Sequence, residues 1–189
     1  MKKIIVAFGM FFTVFATAQT KYEREYRIQP DIVPPKALSF IDSCFFKNTI
    51  RWYAEESQDG KTIEAKTKKN RARFSIEFDT LGNPIDIEKT IHFKILPKEI
   101  KTNITHSLDS VFTKYTIVKT QIQWKADRQT LLSLMQEKAS KDSYTTLYEI
   151  VIKGKREKNY HLYEVLIDPK GTIIKFLEIV QRNSDNIQF

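Results

Sequence analysis

Phe78-Asp79-Thr80-Leu81-Gly82-Asn83-Pro84-Ile85 is answered later in the chain by Ile167-Asp168-Pro169-Lys170-Gly171-Thr172-Ile173-Ile174. Each stretch reads as a hairpin turn between two strands, because Asp caps turn N–H groups and Gly accepts a positive φ. Upstream of each lies an apolar-periodic segment opened by Pro-Lys, Pro35-Lys36 in one case and Pro97-Lys98 in the other. The order helix, strands, Asp-x-x-Gly turn, strand therefore recurs, and it predicts an internal duplication.

Working outward in the first copy, Pro34-Pro35 starts a helix whose Ala37, Leu38, Ile41, Cys44 and Phe45 recur at three- and four-residue spacing, giving one apolar face. Strands follow at Thr49 to Glu55, Thr62 to Lys68, Arg71 to Phe78 and Ile85 to Ile91, with Gln58-Asp59-Gly60-Lys61 as a hairpin turn. Strand side chains alternate between faces. Phe74, Ile76, Phe78, Ile85, Ile87 and Ile91 share the helix side, interrupted by Lys89, while Arg73, Ser75, Glu77, Asp86, Glu88 and Thr90 share the other. Arg51 and Tyr53 join that polar side if Ile50, Trp52 and Ala54 point inward.

In the second copy Ile100, Ile104, Leu108 and Val111 form a single helical stripe. Strands are predicted at Thr116 to Trp124, Tyr144 to Lys153, Tyr160 to Ile167 and Thr172 to Val180. Between the first two of these, Arg128 to Ser140 reads as an inserted amphipathic helix. Tyr163, Val165 and Ile167 take the places of Phe74, Ile76 and Phe78, but the opposite face carries Leu162, Leu166, Ile173 and Leu177. A sheet apolar on both faces needs cover on both. Either the inserted helix supplies it or part of the face is a partner-binding patch.

Lys2 and Lys3 precede an apolar run from Ile4 to Phe15 and then Ala16-Thr17-Ala18, the pattern of a secretory signal peptide cleaved near Ala18. The expected address is periplasmic or extracellular, with no membrane span. Without Lys2 and Lys3 the 31 Lys and Arg become 29 against 23 Asp and Glu, so the chain keeps a charge of +6. For an exported chain that charge suits acidic envelope partners better than nucleic acid. Cys44 is the single cysteine, which excludes an intramolecular disulfide and reads as a buried, inert thiol.

The signal peptide, the Val33 to Leu38 VPPKAL helix start, the Phe74 to Asp79 FSIEFD segment, the Asp-x-x-Gly turn and the Tyr163 to Gly171 YEVLIDPKG closing strand together resemble the PepSY-like family of exported bacterial proteins. That family is similar in fold to β-lactamase inhibitor protein, and the likeness runs from about Tyr22 to Val180. The resemblance implies two helix-plus-four-strand units set side by side, with a concave sheet surface that grips a partner. It points to the non-helix face of the sheets. The paired cysteines of the inhibitor are missing here and no inhibitory contact matches residue by residue, so β-lactamase inhibition is not carried over.

Catalytic chemistry has little footing. His92, His106 and His161 are far apart and lack cysteines to complete a zinc set; there is neither a Gly-x-Ser-x-Gly elbow nor a Gly-rich phosphate loop. Asp79 and Asp168 read as turn caps. Lys61, Lys66, Lys68, Lys69, Arg71 and Arg73 surround a hairpin tip, either as a solvated edge or as a dock for an acidic partner.

The resulting expectation is an α+β fold of two tandem units, each one helix on a four-stranded antiparallel sheet. The parts are a signal peptide at 1–18, an extended lead-in at 19–33, a first unit at 34–95, a second unit at 96–182 with its inserted helix at about 128–140, and a polar tail at 183–189. The expected function is non-catalytic protein binding or inhibition, with no cofactor and no metal. Arg51, Tyr53, Arg73 and Glu77 on the first sheet and Leu162, Leu166 and Leu177 on the second are the candidate contact residues, since aromatic and Arg anchors dominate interface energies. The alternative is a periplasmic carrier of a lipid-like ligand, with a pocket under the inserted helix.

Overall fold

Chain order places β1 (Gln19–Lys21) and β2 (Glu23–Ile28) ahead of α1 (Pro35–Ser43), then β3 (Arg51–Ser57), β4 (Gly60–Lys69), β5 (Ala72–Phe78) and β6 (Pro84–Ile91). The chain continues through α2 (Lys98–Val111), β7 (Lys114–Lys125), α3 (Arg128–Met135), β8 (Thr145–Arg156), β9 (Asn159–Ile167) and β10 (Ile173–Ile179). This is a computed structural model describing residues 19–44, 46, 48–156 and 158–180. The predicted signal peptide and polar tail lie outside the described residues.

The expectation of two tandem helix-plus-four-strand units is overturned. All ten strands belong to one mixed sheet, in the order β1-β10-β9-β8-β7-β6-β5-β4-β3-β2. β6 and β7 pair directly, Ile87 opposite Trp124 and Ile91 opposite Thr120, so the sheet has no break between the halves. The physical reason is the edge: had β6 ended a separate sheet, its outward N–H and C=O groups would stand unpaired, and β7 satisfies them. Strand periodicity specifies faces but not this neighbour.

The sheet also turns back on itself. β1 lies at one edge, parallel to β10, and β2 lies at the opposite edge, antiparallel to β3. Only Tyr22 separates these two strands in the chain, so the segment 19–28 draws both edges together into a near-barrel. A contact across the closure agrees, with Lys175 Nζ on β10 lying 2.9 Å from Asp59 Oδ2 in the β3–β4 hairpin.

The three α-helices of the described residues pack on the outer side. Ala37, Phe40 and Ile41 of α1 and Leu131 and Met135 of α3 cover Trp52, Ala65, Ile76, Phe78 and Ile87; Phe40 meets Phe78 edge-on at 5.7 Å. Ile104 and Leu108 of α2 cover a second core of Ile150, Ile152, Tyr163, Val165 and Ile167. α3 is the inserted helix, and it joins the first core instead of covering Leu162, Leu166 and Leu177 as one reading of the sequence had it. Its start is set by Asp127, whose side chain accepts from the N–H groups of Gln129 and Thr130, an N-cap.

The two Asp-x-x-Gly turns adopt one geometry. Asp79 Oδ1 accepts from Leu81 N and Asn83 N, and Asp168 Oδ1 from Lys170 N and Thr172 N. Gly82 and Gly171 have φ of +81° and +93°. Each turn is pressed against a helix: a Cβ on Gly82 would stand 2.8 Å from Ala37 N, and one on Gly171 would stand 3.0 Å from Asn103 O.

Candidate functional site

Alternation along each strand gives the near-barrel an inner face, opposite the helices. The register places Arg27, Tyr53, Glu64, Glu77 and Asp86 in one cross-strand row, and Arg51, Lys66, Ser75, Glu88 and Gln123 in the next. Arg73 and Lys68 sit opposite one another in a third row. Gln121, Glu149 and Leu166 share one row of the second half, and Glu164 and Leu177 share another. The inner surface is thus polar where the outer one is apolar.

Its centre is acidic and withdrawn from water. Burial pushes Glu55 and Asp86 up to about 8, with Glu23 and Glu77 respectively adding repulsion. Burial and repulsion from Glu149 and Asp86 hold Glu88 well above the carboxylate range, and burial and Glu164 raise Glu149. Glu77 is raised by burial and by Glu64. Cross-strand partners here carry like charge, Glu25 with Glu55, Glu64 with Glu77 and Glu77 with Asp86, an arrangement that costs stability when both are ionised. Gln121 Nε2 donates to Glu88 at 2.6 Å, and Gln123 Nε2 donates to Asp86 at 3.0 Å and Glu88 at 3.2 Å. Asp86 Oδ1, Gln121 Oε1 and Gln123 Oε1 find no donor among the described residues. A proton kept on a carboxyl is the donor such an acceptor-rich cluster needs.

Lys21 is the main cation of the interior. Burial alone would lower its ammonium, but Glu164 and Glu23, at 2.8 and 2.6 Å, hold it above its ordinary range. Lys66 bridges Glu25 and Glu64, and its Nζ also lies 4.8 Å above the Tyr53 ring. Among the described residues no group of three or more His, Cys, Asp or Glu is arranged to hold a metal ion.

One end of the near-barrel is basic. Because consecutive strands from β2 to β10 alternate in direction, the end of β2, the start of β3, the end of β4 and the start of β5 come together, followed by the start of β7 and the end of β8. Arg27, Arg51, Lys68, Arg73, Lys114 and Lys153 stand there, all exposed. None of the six makes an ion pair within the described chain. Three like-charge pairs face each other across strands: Arg51 with Lys66, Lys68 with Arg73, and Lys114 with Lys155.

The predicted contact residues are therefore divided. Arg51 and Arg73 are exposed at the basic mouth, with Tyr53 half-buried beside them; Glu77 lies inside among the acids. Leu162 and Leu166 are half-buried on the inner face, and Leu177 is buried there. Arg27, Lys114 and Lys153 were missed by sequence reasoning, because they lie far from the Lys61 to Arg73 run and only strand pairing gathers them. For Lys153, its parity with Glu149 along β8 was the available signal.

Closed on one side by its N-terminal strand and clad in helices on the other, the single ten-stranded sheet defines a class of mostly-sheet near-barrel proteins with a polar interior. Solved structures share this fold. A DUF2874 family protein from Bacteroides ovatus aligns with a TM-score of 0.51 over 77% of this chain and 87% of its own, at 13% identity. A Bacteroides eggerthii protein described as a candidate periplasmic protein aligns at 0.50 over 77% and 88%, at 13% identity. A BLIP-like protein from Bacteroides fragilis aligns more loosely, at 0.49 over 80% and 90%, at 12% identity, and adds nothing to that likeness. No protein-family profile and no curated protein matches the chain. At such identities the likeness is one of fold, and the PepSY-like resemblance gains no support as a family assignment.

Proposed function

We propose that this chain is a non-catalytic, exported binding module that engages an acidic segment of an envelope or extracellular protein at the basic mouth. The observation that carries the reading is the set of exposed cations, Arg27, Arg51, Lys68, Arg73, Lys114 and Lys153, gathered at one end of the sheet without an ion pair among the described residues. Like charges directly opposite on neighbouring strands work against folding. Their retention at one mouth, while the interior is acidic, marks a surface whose counter-charges come from another molecule. The signal-peptide pattern and the periplasmic description of one fold neighbour support an exported setting.

Tyr53 gives the mouth an aromatic anchor beside Arg51, the residue types that concentrate binding energy. The test pairs the wild-type protein with Arg51→Glu/Arg73→Glu in capture of envelope proteins, followed by measurement of affinity for the captured partner at two salt concentrations. A partner held at 50 mM salt, lost at 500 mM and lost by the double variant supports the reading, because exposed charge contacts are screened. A partner bound equally by both proteins removes the mouth from the interaction.

A further inference from the structure

Two depressions open on the helix side of the sheet, in the gap that neither α1 with α3 nor α2 covers. The larger, about 410 Å³, is lined by Ile91, Ile122, Trp124 and Tyr148, with Ile95 at its rim. Ile95 is 69% exposed, an apolar side chain left uncovered beside an apolar floor. The smaller, about 300 Å³, lies against the end of α3, between Phe74, Lys89, Leu134 and Met135. Trp124 borders both. Volumes of about 300–1,000 Å³ are those of small-molecule sites.

Lys89 is out of character with its row. Ile87, Lys89 and Ile91 point to the apolar side of β6, and the register partners of Lys89 are Phe74 and Ile122. Its ammonium lies 5.7 Å from the centre of the Phe74 ring and pairs with no carboxylate of the described chain. Lysines among apolar neighbours usually carry their charge out to water or to an acid. The carboxylate at this groove, Glu137, is taken by Lys69 at 3.4 Å. An apolar trough thus runs beside a half-buried cation that has no counter-ion among the described residues.

We infer that this groove binds an anionic amphiphile, a single acyl or alkyl chain laid along Ile91, Ile122, Trp124 and Tyr148 with its anionic head on Lys89. The head is a carboxylate or a phosphate; both match an ammonium, and the trough takes the hydrocarbon. The site lies on the face opposite the acidic interior and away from the basic mouth, so it stands or falls independently of the mouth.

The test titrates the purified protein with dodecanoate, dodecyl phosphate and dodecanol below their micellar concentrations, following tryptophan emission and calorimetric heat. Either anionic probe should bind one-to-one with a shift in emission, at least tenfold more tightly than dodecanol. Lys89→Met should bring all three probes to similar affinity while melting no lower than wild type. Trp124→Phe should remove the emission shift and keep the calorimetric binding, since Trp52 is buried in the first core. The tighter of the two anions identifies the head group. No saturable binding, an anion preference that survives Lys89→Met, or an emission shift that survives Trp124→Phe would each overturn the assignment, as would a large fall in the melting temperature of Lys89→Met.

Discussion

The ammonium of Lys21 sits 2.8 Å from Glu164 Oε2, tying the first strand of the chain to the ninth. The same nitrogen reaches Glu23 at 2.6 Å on the far side of Tyr22, so one cation stands where β1 passes into β2 and the two sheet edges meet. Its side chain and that of Glu164 are 22% and 15% exposed, which makes this a partly buried ion cluster and not a surface pair.

Lys21→Met is therefore expected to cost about 2–3 kcal/mol, somewhat below the 3–5 kcal/mol typical of breaking a fully buried pair. Urea unfolding measures the loss, and hydrogen exchange should show β1 and β10 amides losing protection before those of β5 and β6. An unchanged midpoint would mean that the seam is held by backbone pairing alone.

Stability should fall as pH rises from 5 to 8.5. Glu55 and Asp86, raised to about 8, and Glu88 and Glu149, also raised, keep protons in the folded state that the unfolded chain releases near its ordinary carboxylate range. Their contribution is fully present below about pH 4 and is lost as pH climbs through the raised values. Glu88→Gln should flatten this dependence and melt higher than wild type at pH 8.5, because it removes one ionisable member of the cluster. Melting curves across the range check both statements.

Arg73→Glu places an acid opposite Lys68 where a like-charge pair stands now. The cross-strand term then changes sign, and the variant should be more stable than wild type by about 0.2–1 kcal/mol while losing affinity for an acidic partner. Opposite movements of stability and binding distinguish a binding surface from a structural one.

Gly82→Ala and Gly171→Ala should both destabilise. Each adds a Cβ at positive φ and drives it into α1 or α2, and strain of this kind costs about 1–3 kcal/mol. Gly60→Ala, also at positive φ but with no atom within 4 Å of the added Cβ, should cost less. Chemical denaturation ranks the three.

Cys44 should resist thiol reagents under native conditions, because burial pushes its thiol up to about 12 and the side chain is 2% exposed. Modification should follow global unfolding and accelerate with denaturant; rapid labelling at pH 8 would show that the end of α1 opens locally.

Much of the local structure was legible in the residues. Phe74, Ile76 and Phe78 announced their shared face by alternation, whereas for Arg51, Trp52 and Tyr53 parity left two choices open and the core took Trp52. Pro35 and Pro97 marked helix starts, and Asp79 and Asp168 marked turns, because capping and positive φ are demands met within a few residues. Arg51 and Arg73 stood out as polar-face cations for the same reason. Lys153 and Lys114 did not, since nothing near them in the chain shows that they join Arg73 at one mouth.

By itself, then, the sequence determined the helices, most of the strands, the two turns and which side chains share a face. These follow from local steric and hydrogen-bonding preferences and from the periods of helix and strand. Only the tertiary structure decided that β6 pairs with β7, that α3 packs beside α1, and that β1 and β2 close the sheet around buried acids. Those are choices of partner between segments distant in the chain, settled by backbone groups that must be paired and apolar faces that must be covered, and such needs name no partner in the local sequence.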